Sequence, residues 1–97
     1  MFKLQRSRDI EEFAVALVRE FSSRFPPGAG SADRARLARA IDETCNRAKA
    51  FRLEKRLGIY GRAKMGTSFK FGLKNAGYPD EFVDDFTRQL LLIISGK

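Results

Sequence analysis

The sequence predicts an all-α fold, a small single-domain bundle of about four helices, and three observations carry that prediction. Long stretches at both ends repeat apolar residues at i, i+3, i+4 and i+7. The connections between periodic stretches are short and rich in Gly and Pro. The one clean apolar–polar alternation, from Thr67 to Lys74, would supply at most one arm of an isolated two-stranded ribbon, which is marginal in water. With 97 residues the chain suits one helical domain over 1–97, and 43% hydrophobic with 32% charged residues is the balance of a folded chain. A chain of this size buries roughly two thirds of the surface it exposes when unfolded, enough for one core without staples.

The first helix is expected over about 9–25. Ile10, Phe13, Ala14, Leu17, Val18, Phe21 and Phe25 lie on one face, and Asp9 with Glu12 has the spacing of a capping box. The loop that follows, Phe25-Pro26-Pro27-Gly28-Ala29-Gly30-Ser31, contains two prolines and two glycines that cannot continue a helix. Ser31 or Asp33 would cap the second helix, expected over about 32–55 from near Ala32, with Leu37, Ala38, Ile41, Cys45, Ala48 and Phe51 on its buried face. Beyond Phe51 the stripe breaks, because Lys55 falls on the apolar side and Leu53 and Leu57 opposite it. The helix therefore ends, kinks or meets a different neighbour between about Ala50 and Leu57, with Gly58 as its last sensible C-cap.

Gly58 to Tyr78 has two readings. As a helix over 66–76 it puts Met65, Phe69, Leu73 and Ala76 on one face and ends at Gly77. The rival is a short hairpin over 57–73, with Leu57-Gly58-Ile59-Tyr60 as one arm and Thr67, Phe69, Phe71 and Leu73 alternating along the other. The Asn75-Ala76-Gly77 ending is a helix C-terminal signal and favours the helix. The last helix is expected over about 79–95. Pro79 suits its first turn, Asp80, Glu81, Asp84 and Asp85 suit the positive end of its dipole, and Phe82, Val83, Phe86, Leu90, Ile93 and Ile94 form its buried face.

Chemistry is restricted by what is missing. There is no histidine, which removes His-based acid–base catalysis and nearly every zinc site, and the lone Cys45 excludes an internal disulfide. Cys45 lies on an apolar stripe and reads as a small core residue rather than a nucleophile. Asp84 and Asp85 point about 100° apart on a helix and do not converge on one substrate. No Asp, Glu or Cys cluster has metal-ligand spacing. The expectation is a non-enzymatic protein with no catalytic residue, no metal and no cofactor. Met1 to Arg6 is basic, but no apolar stretch of a leader follows. The longest apolar run, Leu90 to Ile94, falls far short of the ~20 residues of a membrane span, so a cytoplasmic setting without a membrane partner is expected.

The formal charge is +7 and unevenly spread. Residues 58–78 hold four basic and no acidic side chains, whereas residues 79–97 hold two basic and four acidic ones. In the second helix Arg39, Glu43 and Arg47 stand at i, i+4 spacing and are expected to form a solvated salt-bridged face. Arg62, Lys64, Lys70 and Lys74 have no such company, and on a helix Lys64, Thr67, Lys70, Phe71 and Lys74 share the face opposite Phe69 and Leu73. Lysines hold phosphates, and an exposed ring between them stacks on a base. Arg62, Lys64, Lys70, Phe71 and Lys74 are therefore the candidate nucleic-acid-binding residues, for DNA or RNA. The competing reading packs Phe71 under another helix.

Other motifs point less far. Gly61-Arg62-Ala63-Lys64-Met65-Gly66-Thr67-Ser68 has the glycine spacing of a phosphate-binding loop, but Thr67 stands where its lysine belongs, so the glycines read as helix-terminating turns. Gly58-Ile59-Tyr60-Gly61 echoes a GXXG nucleic-acid clamp without the three strands that fold needs. A helix-turn-helix over Phe69–Phe86 would aim Asp80, Glu81, Asp84 and Asp85 at phosphates and is rejected. The alternative function is a protein-interaction module, its basic stretch meeting an acidic protein surface. Leu90 to Ile94 exceeds what one helix face can bury, which points to a wrapping segment or to a homodimer through the C-terminal helix.

Overall fold

The computed structural model describes residues 2–28 and 34–96. They form four helices, α1 (Phe2–Arg24), α2 (Arg34–Glu54), α3 (Ile59–Ala76) and α4 (Asp80–Ser95), with no strand among the described residues. The all-α bundle is therefore the fold, and the hairpin over 57–73 is not formed. None of these helices is long and apolar enough to cross a membrane.

The pairs that touch give the directions. Arg24 meets Glu43, Glu20 meets Arg47 and Phe13 stacks on Phe51 at 4.0 Å, so α1 and α2 are antiparallel. Glu11 meets Lys64, Val18 covers Gly72 and Tyr78 reaches Phe25, so α1 and α3 run parallel. Lys70 meets Asp84 and Gly66 lies under Leu91, which makes α3 and α4 antiparallel. α1 and α4 each pack on both α2 and α3, and the closest pairing is the parallel one between α1 and α3. Short connections alone would have made sequence neighbours the tightest pair. Gly72 overrides this, because a Cβ there would stand 2.9 Å from Val18 Cγ2, and only a bare backbone lets the two helices approach so far.

The core is continuous through all four helices. Ile10, Ala14, Leu17, Val18 and Phe21 from α1 meet Ala40, Cys45 and Ala48 from α2, Met65, Phe69 and Leu73 from α3, and Val83, Phe86, Leu90 and Ile94 from α4. Phe86 stands edge-on to both Phe21 and Phe69, each at a centroid distance of 4.9 Å, the geometry ring quadrupoles prefer. Tyr78 closes one end, its hydroxyl donating to the Phe25 carbonyl at 2.5 Å.

Several element details differ from the sequence-based expectation. α1 starts at Phe2, so Asp9 is an exposed interior residue and makes no capping box with Glu12. Lys3, Leu4, Gln5 and Arg6 are good helix formers and nothing before Asp9 interrupts them. The start expected near Ala32 and the caps expected at Ser31 and Asp33 lie outside the described residues. In α2, Ala38 is exposed and Ala40 and Thr44 are buried in its place, because the helix turns its inner face toward α4 as well as α1. Glu43 pairs with Arg24, and Arg47 with Glu20, so this charged face is tied to α1 rather than along α2 itself.

The α2–α3 connection is also built differently. Arg56, not Gly58, takes the left-handed conformation (φ 54°), with Leu57 N–H donating to the Arg52 carbonyl and Arg56 N–H to that of Leu53. That pair of bonds is a Schellman termination, and it tucks Leu57 into the core at 5% exposure. Gly58 instead precedes the first turn of α3. Gly61 and Gly66 therefore do not end helices, as their spacing had suggested. They lie inside α3, where Leu57 crosses Gly61 and Leu91 fills the space a Cβ of Gly66 would need, with its Cδ2 at 2.6 Å. α3 itself ends in a second Schellman motif at Gly77 (φ 104°), with Tyr78 N–H donating to Leu73.

Candidate nucleic-acid interface

The site is one outward face of α3, and the packing that creates it lies on the reverse side. Met65, Phe69 and Leu73 are completely buried, while Gly66 and Gly72 admit Leu91 and Val18 on the two flanks. A helix held at its back and both sides presents its remaining arc to solvent. Helical spacing of i, i+4, i+7, i+11 and i+14 puts Tyr60, Lys64, Thr67, Phe71 and Lys74 on that arc.

Four of the five sequence-predicted residues are brought together there. Phe71 is 58% exposed, so it does not pack under another helix, and the competing reading of that ring is overturned. Its direction is set by Gly72 and Leu73 beside it, which claim the α1 contact and the core. Lys74 is exposed in the last turn of α3, where its charge also suits the negative end of the helix. Lys64 and Lys70 lie at the two edges, and the fold gives them partners the local sequence lacks. Lys64 Nζ is 2.7 Å from Glu11 Oε2 on α1, and Lys70 Nζ is 3.6 Å from Asp84 Oδ1 on α4. The hydrogen bond to Glu11 pushes the Lys64 ammonium above its ordinary pKa, so it stays charged.

Arg62 stands apart. It falls at i−3 and i−7 from Met65 and Phe69, on the inner side of α3, and its Nε donates back to the Gly58 carbonyl at 3.3 Å. The residue that sequence reasoning missed is Tyr60, 84% exposed at the start of the same outward stripe. Its signal was the i, i+11 spacing to Phe71, visible only once the helix extends back to Ile59.

On the α4 side the stripe borders a shallow open groove lined by Lys70, Asp84, Thr87, Arg88, Leu91 and Leu92. Thr87 Oγ1 is buried there without a hydrogen-bond partner. Asp84 and Asp85 diverge as adjacent helical residues must, one toward Lys70 and the other toward Arg88 at 3.8 Å. Cys45 has no exposed surface, and its thiol is pushed up to about 12, first by burial and then by the charge of Asp42. It is a packed side chain and not a nucleophile at neutral pH. Among the described residues no group of three acids or cysteines is placed to hold a metal ion. No known protein family, curated protein or solved structure matches this chain.

Proposed function

We propose that this is a non-enzymatic cytoplasmic binding protein that meets nucleic acid through the outward face of α3. The single observation that supports this most is Phe71, an exposed ring set among Lys64, Lys70 and Lys74 on a helix without one acidic side chain. A ring left in water among lysines is the arrangement on which an unpaired base stacks. Glu11 and Asp84 oppose the reading, since both carboxylates stand where phosphates would lie. Their weight is small, because solvent-exposed ion pairs contribute only about 0–1 kcal/mol each and exchange readily for a phosphate. The +7 net charge works in the same direction over longer range.

Titration of the protein with DNA and RNA over a range of salt concentrations tests the proposal. Affinity should fall steeply with salt. Replacing Lys64, Lys70 and Lys74 with Gln should flatten the dependence by about 0.7 in log–log slope per lost contact on single strands and about 0.9 on duplex. A wild-type protein that binds neither at low salt would remove the reading.

A second reading is protein–protein contact, either with an acidic surface or with a second copy through α4. Leu92, 68% exposed on α4, favours it. Its neighbour Leu91 is already taken up over Gly66, so the apolar run leaves one leucine uncovered rather than two. A mass that doubles with concentration in light scattering, and that returns to one chain in Leu92→Lys, would support the homodimer.

A further inference from the structure

Tyr60 carries an inference beyond binding as such. It is the most exposed large apolar side chain among the described residues, at 84%, and it shares the outward stripe of α3 with Phe71 at 58%. Eleven residues separate them, about 16 Å along the helix axis. That is too far for the two rings to sandwich one base and close to the length of about five stacked nucleotide steps of ~3.4 Å. Lys64 and Thr67 lie between the rings, Lys64 at the α1 edge beside Glu11, while Lys70 and Lys74 lie along the α4 side, Lys70 beside Asp84, so cations flank the line of the two rings on both sides.

Resting on the nucleic-acid reading of this face, we propose that Tyr60 and Phe71 form a paired stacking platform that selects single strands over duplexes. A duplex offers its bases edge-on inside the grooves and satisfies their faces by internal stacking, so both rings would stay without partners against it. An unpaired strand lays its phosphates along the lysines and turns one base onto each ring. Every base has a face of this kind, so the platform discriminates strandedness and not sequence. Neither ring is needed for the fold, because both point away from the core.

The chain supplies its own reporter. It has no tryptophan and two tyrosines, of which Tyr78 is buried and hydrogen-bonded to Phe25, so a change in tyrosine emission on binding reports Tyr60. The experiment titrates the full chain with an oligothymidylate and with a DNA duplex of equal length at one low salt concentration. The expected result is tighter binding of the single strand with quenching of tyrosine emission. Tyr60→Ala and Phe71→Ala should each weaken the single strand by about 5- to 150-fold, the equivalent of roughly 1–3 kcal/mol, and leave duplex binding unchanged. Lys64→Gln and Lys74→Gln should weaken both. Equal affinity for strand and duplex, or Tyr60→Ala binding like wild type without loss of the lysine effect, would overturn the platform and leave the proposed function standing. Binding to neither would remove both and leave the exposed rings to a protein partner. Unchanged thermal melting of both alanine variants keeps each outcome interpretable.

Discussion

At the scale of single residues, two buried acids make the molecule sensitive to alkaline pH. The Cys45 thiol is pushed up to about 12 from 9.0 by burial and by Asp42, and burial raises the Tyr78 phenol, with its hydrogen bond to Ser22 opposing. Both groups are neutral when protonated, so above pH 9 the unfolded chain loses these protons first. Stability is then unaffected below 9.0, falls as the pH rises past it, and keeps falling toward about 12 as the folded-state thiol titrates. Chemical denaturation at pH 7 and pH 11 should show that decline, and Cys45→Ala should flatten its first part. An equal decline in wild type and variant would refute the assignment to Cys45. The same burial predicts slow labelling by a thiol reagent in the native state and fast labelling in denaturant.

At the scale of elements, terminations and crossings decide where helices stop and how closely they lie. The two Schellman endings differ in one respect: Gly77 occupies the left-handed position of α3 and Arg56 that of α2. A non-glycine residue is strained there by about 1–2 kcal/mol, partly offset by the greater freedom glycine has when unfolded. Arg56→Gly should therefore raise stability by about 0.5–1 kcal/mol in urea denaturation, and a loss would show that the Arg56 side chain contributes more than its backbone costs. Glycines inside α3 give a contrasting pair. Gly72→Ala pushes a methyl against Val18, a buried β-branched residue with little freedom, and should cost about 1–2 kcal/mol net of the better helix propensity. Gly66→Ala meets the end of Leu91, a half-buried side chain that can rotate outward, and should be near neutral. These glycines mark the limit of what was legible in the sequence. The existence of the helices and the inner positions Leu17, Phe21, Met65, Phe69, Leu73, Phe86 and Leu90 followed from periodicity, a local property. Gly61 and Gly66 read as breakers because local propensity penalises them, and the contacts that compensate come from Leu57 and from Leu91 on another helix. Ala38 was misplaced for a related reason, since an alanine satisfies either side of a stripe and only the neighbouring helix chooses.

At the scale of the whole molecule, the outward face of α3 illustrates what a one-dimensional reading omits. The lysines and Phe71 were visible as a cluster free of acids, yet Glu11 and Asp84 reach Lys64 and Lys70 only because α1 and α4 flank α3, and Arg62 leaves the cluster because it sits on the inner side of the helix. That outward face holds its shape only while all four helices hold theirs. One uninterrupted core links them, with Phe69 of α3 fully buried at its centre and edge-on to Phe86 of α4. No helix keeps a separate core of its own, so the chain should unfold as a single unit. Phe69→Ala opens a cavity that the surrounding rings cannot fill and should cost about 3–5 kcal/mol. That is a large share of the ~5–15 kcal/mol by which a domain is stable, so the loss should be felt from end to end. Far-ultraviolet circular dichroism follows all four helices, whereas the near-ultraviolet signal of Tyr78 follows the aromatic cluster at one end of the bundle. In wild type the two melting curves should coincide. In Phe69→Ala both should move down together by the same number of degrees. A helical signal that persists after the Tyr78 signal has gone, in either protein, would show that α2 and the end of α1 it stacks on through Phe13 and Phe51 can stand without the rest.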